Sequence, residues 1–194
     1  MQVECRLYKL ARPASRSLRA VGLSLGCMVT ETDIDVRSLT ARELLRLSAR
    51  VVTELKDRGV LRSRNAPAGD LAEYLVARAF DGELAAPAAK SWDVQAGDRQ
   101  FQVKCRLVDP DSRRYESFSS FRSWAFDACV FIVLDCRTYD VVRAVEIPMA
   151  TVKAIARETR WVNGHRVSVG QIAGPIEGSR DVTDLIRDAL EALP

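Results

Sequence analysis

The chain has 194 residues, of which 47% are hydrophobic and 28% charged, with a formal net charge of +3. That length holds one domain or two small ones, and the composition excludes wholesale disorder. The longest apolar run, Ala128 to Leu134, is far too short to cross a bilayer and suits a buried strand.

The charge is unevenly placed. Residues 1–27 hold Arg6, Lys9, Arg12, Arg16 and Arg19 against Glu4 alone, a balance of +4, which leaves −1 for the remainder. Global basicity therefore says nothing about nucleic acid, whereas local clustering does. Residues 1–37 read as a basic leader without periodicity. The apolar core from Ala20 to Gly26 is short for a secretory signal, and Ser24 sits where a lipoprotein signal ending at Cys27 wants a large aliphatic residue. A transit peptide, a disordered tail, or in-frame sequence upstream of a start at Met28 also fit. The single folded domain is expected over residues 38–194.

A first helix is predicted from Thr40, whose hydroxyl and Glu43 form a capping box, with Leu44, Leu45, Leu47, Val51, Val52 and Leu55 as its stripe and Gly59 as its stop. A basic loop, Arg62 to Pro67, leads to a second helix opening at Gly69-Asp70 and running Leu71 to Phe80. Glu73 lies off its apolar side, near Asp70 and Ala77. Next come Ser91-Trp92-Asp93-Val94 and the alternating segment Phe101-Gln102-Val103-Lys104-Cys105-Arg106. Pairing as a hairpin about Ala96 to Arg99 brings Asp93 near a strand face that carries an amide and two cations.

Residues 108–123 read as a polar loop with Tyr115, Phe118 and Phe121 available to pack or to stack on bases. From Arg99 to Arg122 there are six cations (Arg99, Lys104, Arg106, Arg113, Arg114 and Arg122) against three acids. Two strands follow, Phe126 to Leu134 and Val141 to Ile147, and Pro148 opens a helix from Met149 to Arg157. Val162 to Val169 suggests a small hairpin turning at Asn163-Gly164, which puts His165 in a surface turn. A last helix is capped by Asp181 or Thr183 and runs to Leu193.

The five cysteines show no metal-ligand spacing and favour a reducing, cytoplasmic compartment. A carboxylate, an amide oxygen and a lysine converging at a sheet edge is how a magnesium-dependent phosphodiesterase site is built.

These residues resemble the PD-(D/E)XK nuclease family, with Gln102 in the second acidic position. The resemblance covers roughly residues 69–157. It implies a mixed α/β fold with the restriction-endonuclease-like αβββαβ core, a central mixed sheet flanked by helices. It also implies Mg²⁺, with Mn²⁺ able to substitute, held by Asp93, Gln102, the Val103 backbone carbonyl and Glu73. Lys104 would orient and activate the attacking water. The implied substrate is DNA, with RNA not set aside, in restriction or phage defence or in DNA repair, and a homodimer would cut both strands. Arg62, Arg64, Arg106, Arg113, Arg114 and Arg122 are the expected phosphate contacts. The alternatives are a DNA-binding module without catalysis, and an interaction protein that keeps the fold after its site has decayed, for which neutral Gln102 would be the first symptom.

Overall fold

The computed structural model describes residues 34–64, 67–86, 91–109, 111–112, 116–159 and 163–194. Four helices are described, α1 (Ala41–Asp57), α2 (Pro67–Ala79), α3 (Met149–Ile155) and α4 (Thr183–Glu191). The strands are β1 (Glu83–Leu84), β2 (Val94–Ala96), β3 (Arg99–Val108), β4 (Ala128–Asp135), β5 (Val141–Pro148), β6 (Arg157–Thr159), β7 (Gly164–Arg166) and β8 (Arg180–Asp181). Six form one mixed sheet in the order β1-β2-β3-β4-β5-β8, and β6 and β7 form a separate pair.

The local chemistry explains most boundaries. Thr40 and Glu43 make the capping box that starts α1, and Gly59, at φ +76°, ends the turn after it. Pro67 opens α2 two residues earlier than Gly69, as suits a residue with no N–H to satisfy in a first turn. In the β2–β3 hairpin Ala96 pairs with Arg99, so Gly97-Asp98 make the two-residue turn, with Gly97 at φ +57°.

β4 carries no polar side chain from Ala128 to Leu134 because it is covered on both faces. It runs parallel to β3 and antiparallel to β5. Ala128, Val130, Ile132 and Leu134 pack with Phe101 and Val103 of β3 against Leu71, Leu75 and Val76 of α2 and Ile186 of α4. Cys129, Phe131 and Val133 face the other way, onto Phe118 and Phe121, Val152 of α3, and Val167 and Ile172. The sheet is thus the middle of three layers.

Three expectations change, and of the two roles open to Phe118 and Phe121 packing is the one adopted. α3 stops at Ile155, because Ala156 is extended and Arg157 starts β6. The small hairpin pairs Arg157–Thr159 with Gly164–Arg166 rather than turning at Asn163-Gly164, so His165 is a half-buried strand residue. Phe118 and Phe121 are buried core residues that pin the segment after β3 to the body, and they have no free faces for bases. No helix is described between β3 and β4, where the αβββαβ core has one; the segment instead bridges through Ser117 to Ser168 and Phe121 to His165. Among the described residues no helix is long and apolar enough to cross a membrane.

Candidate metal and nucleic-acid site

Asp93 stands immediately before β2 and extends the hairpin by one pair. Its N–H donates to the Phe101 carbonyl at 2.8 Å, and its own carbonyl accepts from Ala85 N–H at 2.8 Å. The backbones of Phe101 and Val103 point toward β2, while those of Gln100 and Val108 point toward β4. Because β2 is short, Val103 has no backbone partner on that side among the described residues. The Asp93 carboxylate supplies one, accepting Val103 N–H on Oδ2 at 2.7 Å. The same oxygen accepts from Gln102 Nε2.

Gln102 and Lys104 share the strand face opposite Phe101 and Val103, and both are half-buried. The Lys104 ammonium lies 4.9 Å from the centre of the Phe121 ring, a cation–π contact made possible by the burial of that phenylalanine beside β3. Glu73 reaches the site from α2. Burial, reinforced by the Asp93 charge, raises its pKa from 4.5 to about 7 against the opposing pull of Arg62. Burial also raises Asp93, although the Val103 N–H and the Lys104 charge oppose the shift. A buried carboxylate whose ionisation is disfavoured by a neighbouring carboxylate describes a place where a cation is welcome.

Arg62 is turned inward. One guanidinium nitrogen lies 3.5 Å from Glu73 Oε2, and another donates to the Ala85 carbonyl at 2.9 Å. Its loop is held by Asp70, whose Oδ2 accepts from Arg62 N–H at 2.9 Å and Ser63 N–H at 2.6 Å. Arg106 is tied to Glu116 at 2.5 Å. Arg64 is exposed and donates to Thr53 Oγ1 at 2.9 Å, and Arg122 is exposed. Arg113 and Arg114 lie outside the described residues, as does Tyr115.

The structure therefore joins Gln102 and Val103 to Asp93 by hydrogen bonds, and sets Glu73 close enough to feel the charges of Asp93, Arg62 and Lys104. Among the described residues no three His, Cys, Asp or Glu side chains form a metal-holding group. The oxygen donors here are two carboxylates, an amide and a strand carbonyl, a hard set that suits Mg²⁺ or Mn²⁺ with water completing the shell. Asp70, which holds the Arg62 loop, is a site residue beyond those expected, and its signal is an acid in the first turn of a helix. Phe121, expected to pack or to stack, packs, and its ring lies against Lys104.

No protein-family model matches the chain, and no curated protein matches it either.

Proposed function

We propose that the protein is a metal-dependent phosphodiesterase that cuts DNA, with a PD-(D/E)XK-like site in which Gln102 replaces the second acid. The observation that carries this reading is the Asp93 carboxylate, fixed by the Val103 N–H and Gln102 beside the half-buried Glu73. Asp93 and Glu73 would hold Mg²⁺, or Mn²⁺ in its place, together with the Val103 carbonyl and Gln102 Oε1, once that amide turns its oxygen inward. Bound there, the ion would polarise the phosphate and lower the pKa of a water. The protein's own share is to place charge. Glu73 and Asp93 fix the cation end of the site, and the Lys104 ammonium, on the same strand face as Gln102, orients the attacking water and offsets charge developing on the phosphate.

The helix-borne Glu73, the Asp93 hairpin and the parallel β3–β4 pair support the restriction-endonuclease-like core, and the crossover, among whose described residues there is no helix, is the departure from it. A restriction or phage-defence setting goes with that resemblance. One observation favours a second reading, a non-catalytic DNA-binding or interaction protein. The carboxylates are already satisfied from within, Asp93 by Gln102 and Glu73 by Arg62.

Incubation of the wild type, Asp93→Ala and Lys104→Ala with plasmid, linear duplex and RNA in Mg²⁺ or Mn²⁺ decides between them. Nuclease action predicts cutting by the wild type and a loss of about 10²-fold or more in each variant. DNA binding by all three without cutting would establish the second reading. Gln102→Glu should raise Mn²⁺ affinity measured by calorimetry if the site is a metal site, and leave it unchanged if the site has decayed.

A further inference from the structure

The arginines first expected to touch phosphate are partly engaged elsewhere, Arg62 by Glu73 and Arg106 by Glu116. A row of unengaged cations lies on α1. Arg42, Arg46 and Arg50 are exposed, stand one helical turn apart on the same face, and make no ion pair or side-chain hydrogen bond with any described residue. Three residues further along this face, Thr53 Oγ1 accepts from Arg64, which adds a fourth guanidinium to the row. The row spans about 17 Å, from eleven residues at ~1.5 Å each. Asp57 shares the face, while Glu43 is taken by the Thr40 cap and Glu54 by Arg58.

We propose that this arginine row is the surface on which duplex DNA lies, with α1 running along the sugar-phosphate backbone and delivering it to the Asp93–Glu73 site. Charge selects the occupant, since four guanidinium groups against one carboxylate match a polyanion with a charge every few ångströms. Continuity gives the direction. Arg64 is two residues from Arg62, whose guanidinium sits on Glu73, and Asp70 fixes the loop between α1 and α2. A lipid surface fits less well. The apolar side of α1, Leu44, Leu47, Val51 and Leu55, lines a groove over Leu71, Leu190 and Leu193 of the body, on the face opposite the arginines. The inference rests on the DNA-cutting reading only for its choice of duplex DNA as partner.

The test is fluorescence anisotropy with a short labelled duplex in EDTA, over a series of salt concentrations. Against the wild type, the triple variant R42Q/R46Q/R50Q should lose about tenfold or more in affinity, and its plot of log K against log salt should be shallower by about 2.7. The triple lysine variant should bind nearly as the wild type does, and its retained charge guards against a folding defect in the glutamine variant. Arg137→Gln, whose charge is already met by Asp109 and Asp111, should leave affinity and slope unchanged. The inference is overturned if the glutamine variant matches the wild type in affinity and slope. It is also overturned if the wild type binds phosphatidylserine vesicles and not duplex, or binds neither. Duplex binding that needs the arginines, without cutting in Mg²⁺ or Mn²⁺, sinks the catalytic reading and leaves this one. Cutting by the wild type with unaltered binding by the glutamine variant does the reverse.

Discussion

Glu73 makes the site sensitive to pH in a direction set by its burial. Its pKa rises on folding from 4.5 to about 7, so the folded chain binds that proton more tightly than the unfolded chain does. The favourable contribution is complete below the unfolded value and is lost as the pH rises through 7. Asp93, raised by the same cause, acts in the same sense. With partial exposure allowed for, the ionised state costs on the order of 1–2 kcal/mol. Glu73→Gln should therefore melt higher than the wild type at about pH 8 and no higher at about pH 5. Added Mg²⁺ should narrow the difference at the higher pH, and a wild-type melting temperature that does not fall across this window counts against the arrangement. A second carboxylate, Glu146 on β5, is buried between Arg99 and Arg180, at 2.5 and 3.0 Å. These arginines also lie over the rings of Phe101 and Phe80. Removing both arginines strands a buried charge, at a cost of about 3 kcal/mol in urea unfolding, whereas Glu146→Gln, which leaves two half-exposed cations, should cost about 1 kcal/mol.

Between elements, the segment from β3 to β4 depends on one close approach. Phe121 and His165 exchange both backbone hydrogen bonds, at 2.8 and 3.1 Å, and Phe118 N–H donates to Val167 at 3.0 Å. A Cβ on Gly164 would stand 2.8 Å from the Phe121 carbonyl oxygen, while one on Gly170 would meet nothing within 4 Å. Gly164→Ala should cost about 2 kcal/mol and displace the ring under Lys104, and Gly170→Ala should stay within about 0.5 kcal/mol, both read by urea unfolding. That contact also shows where the sequence was legible. Asn163-Gly164 is a genuine turn signal, but Asn163 takes the left-handed conformation at φ 45° while Gly164 is needed for space, as the first residue of β7. The β2–β3 hairpin and the capping box were plain, because alternation and capping act over a few residues. The two-residue strand β1 has no period to detect. The pairing of Arg62 with Glu73 and Arg106 with Glu116 depends on how elements dock, and composition alone could not separate engaged arginines from the free ones on α1. The acid at 146 in an apolar strand was a visible irregularity, but its partners come from β3 and β8.

Across the whole molecule, attachment strength is graded. β4 is buried from Ala128 to Leu134, whereas α1 has no buried residue and leaves Leu45 73% exposed. Backbone amides of α1 should exchange through openings several kcal/mol less costly than those that expose β4, which native-state hydrogen exchange measures directly; equal protection would refute this. A helix held this lightly can adjust to whatever docks on it while the sheet stays fixed. The parallel pairing of β3 with β4 has a different consequence, in the order of events during folding. The β2–β3 and β4–β5 hairpins each close over a few residues, but β3 meets β4 only after Phe101 finds Ala128 across a long stretch of chain. Loop closure is unfavourable until that contact forms, so docking of the two preformed hairpins is the slow step. Asp93 and Val103 belong to one hairpin and can meet before that step, while Lys104 has no Phe121 beneath it until afterwards. The two halves of the site therefore mature at different times, the carboxylate end first and the lysine end last.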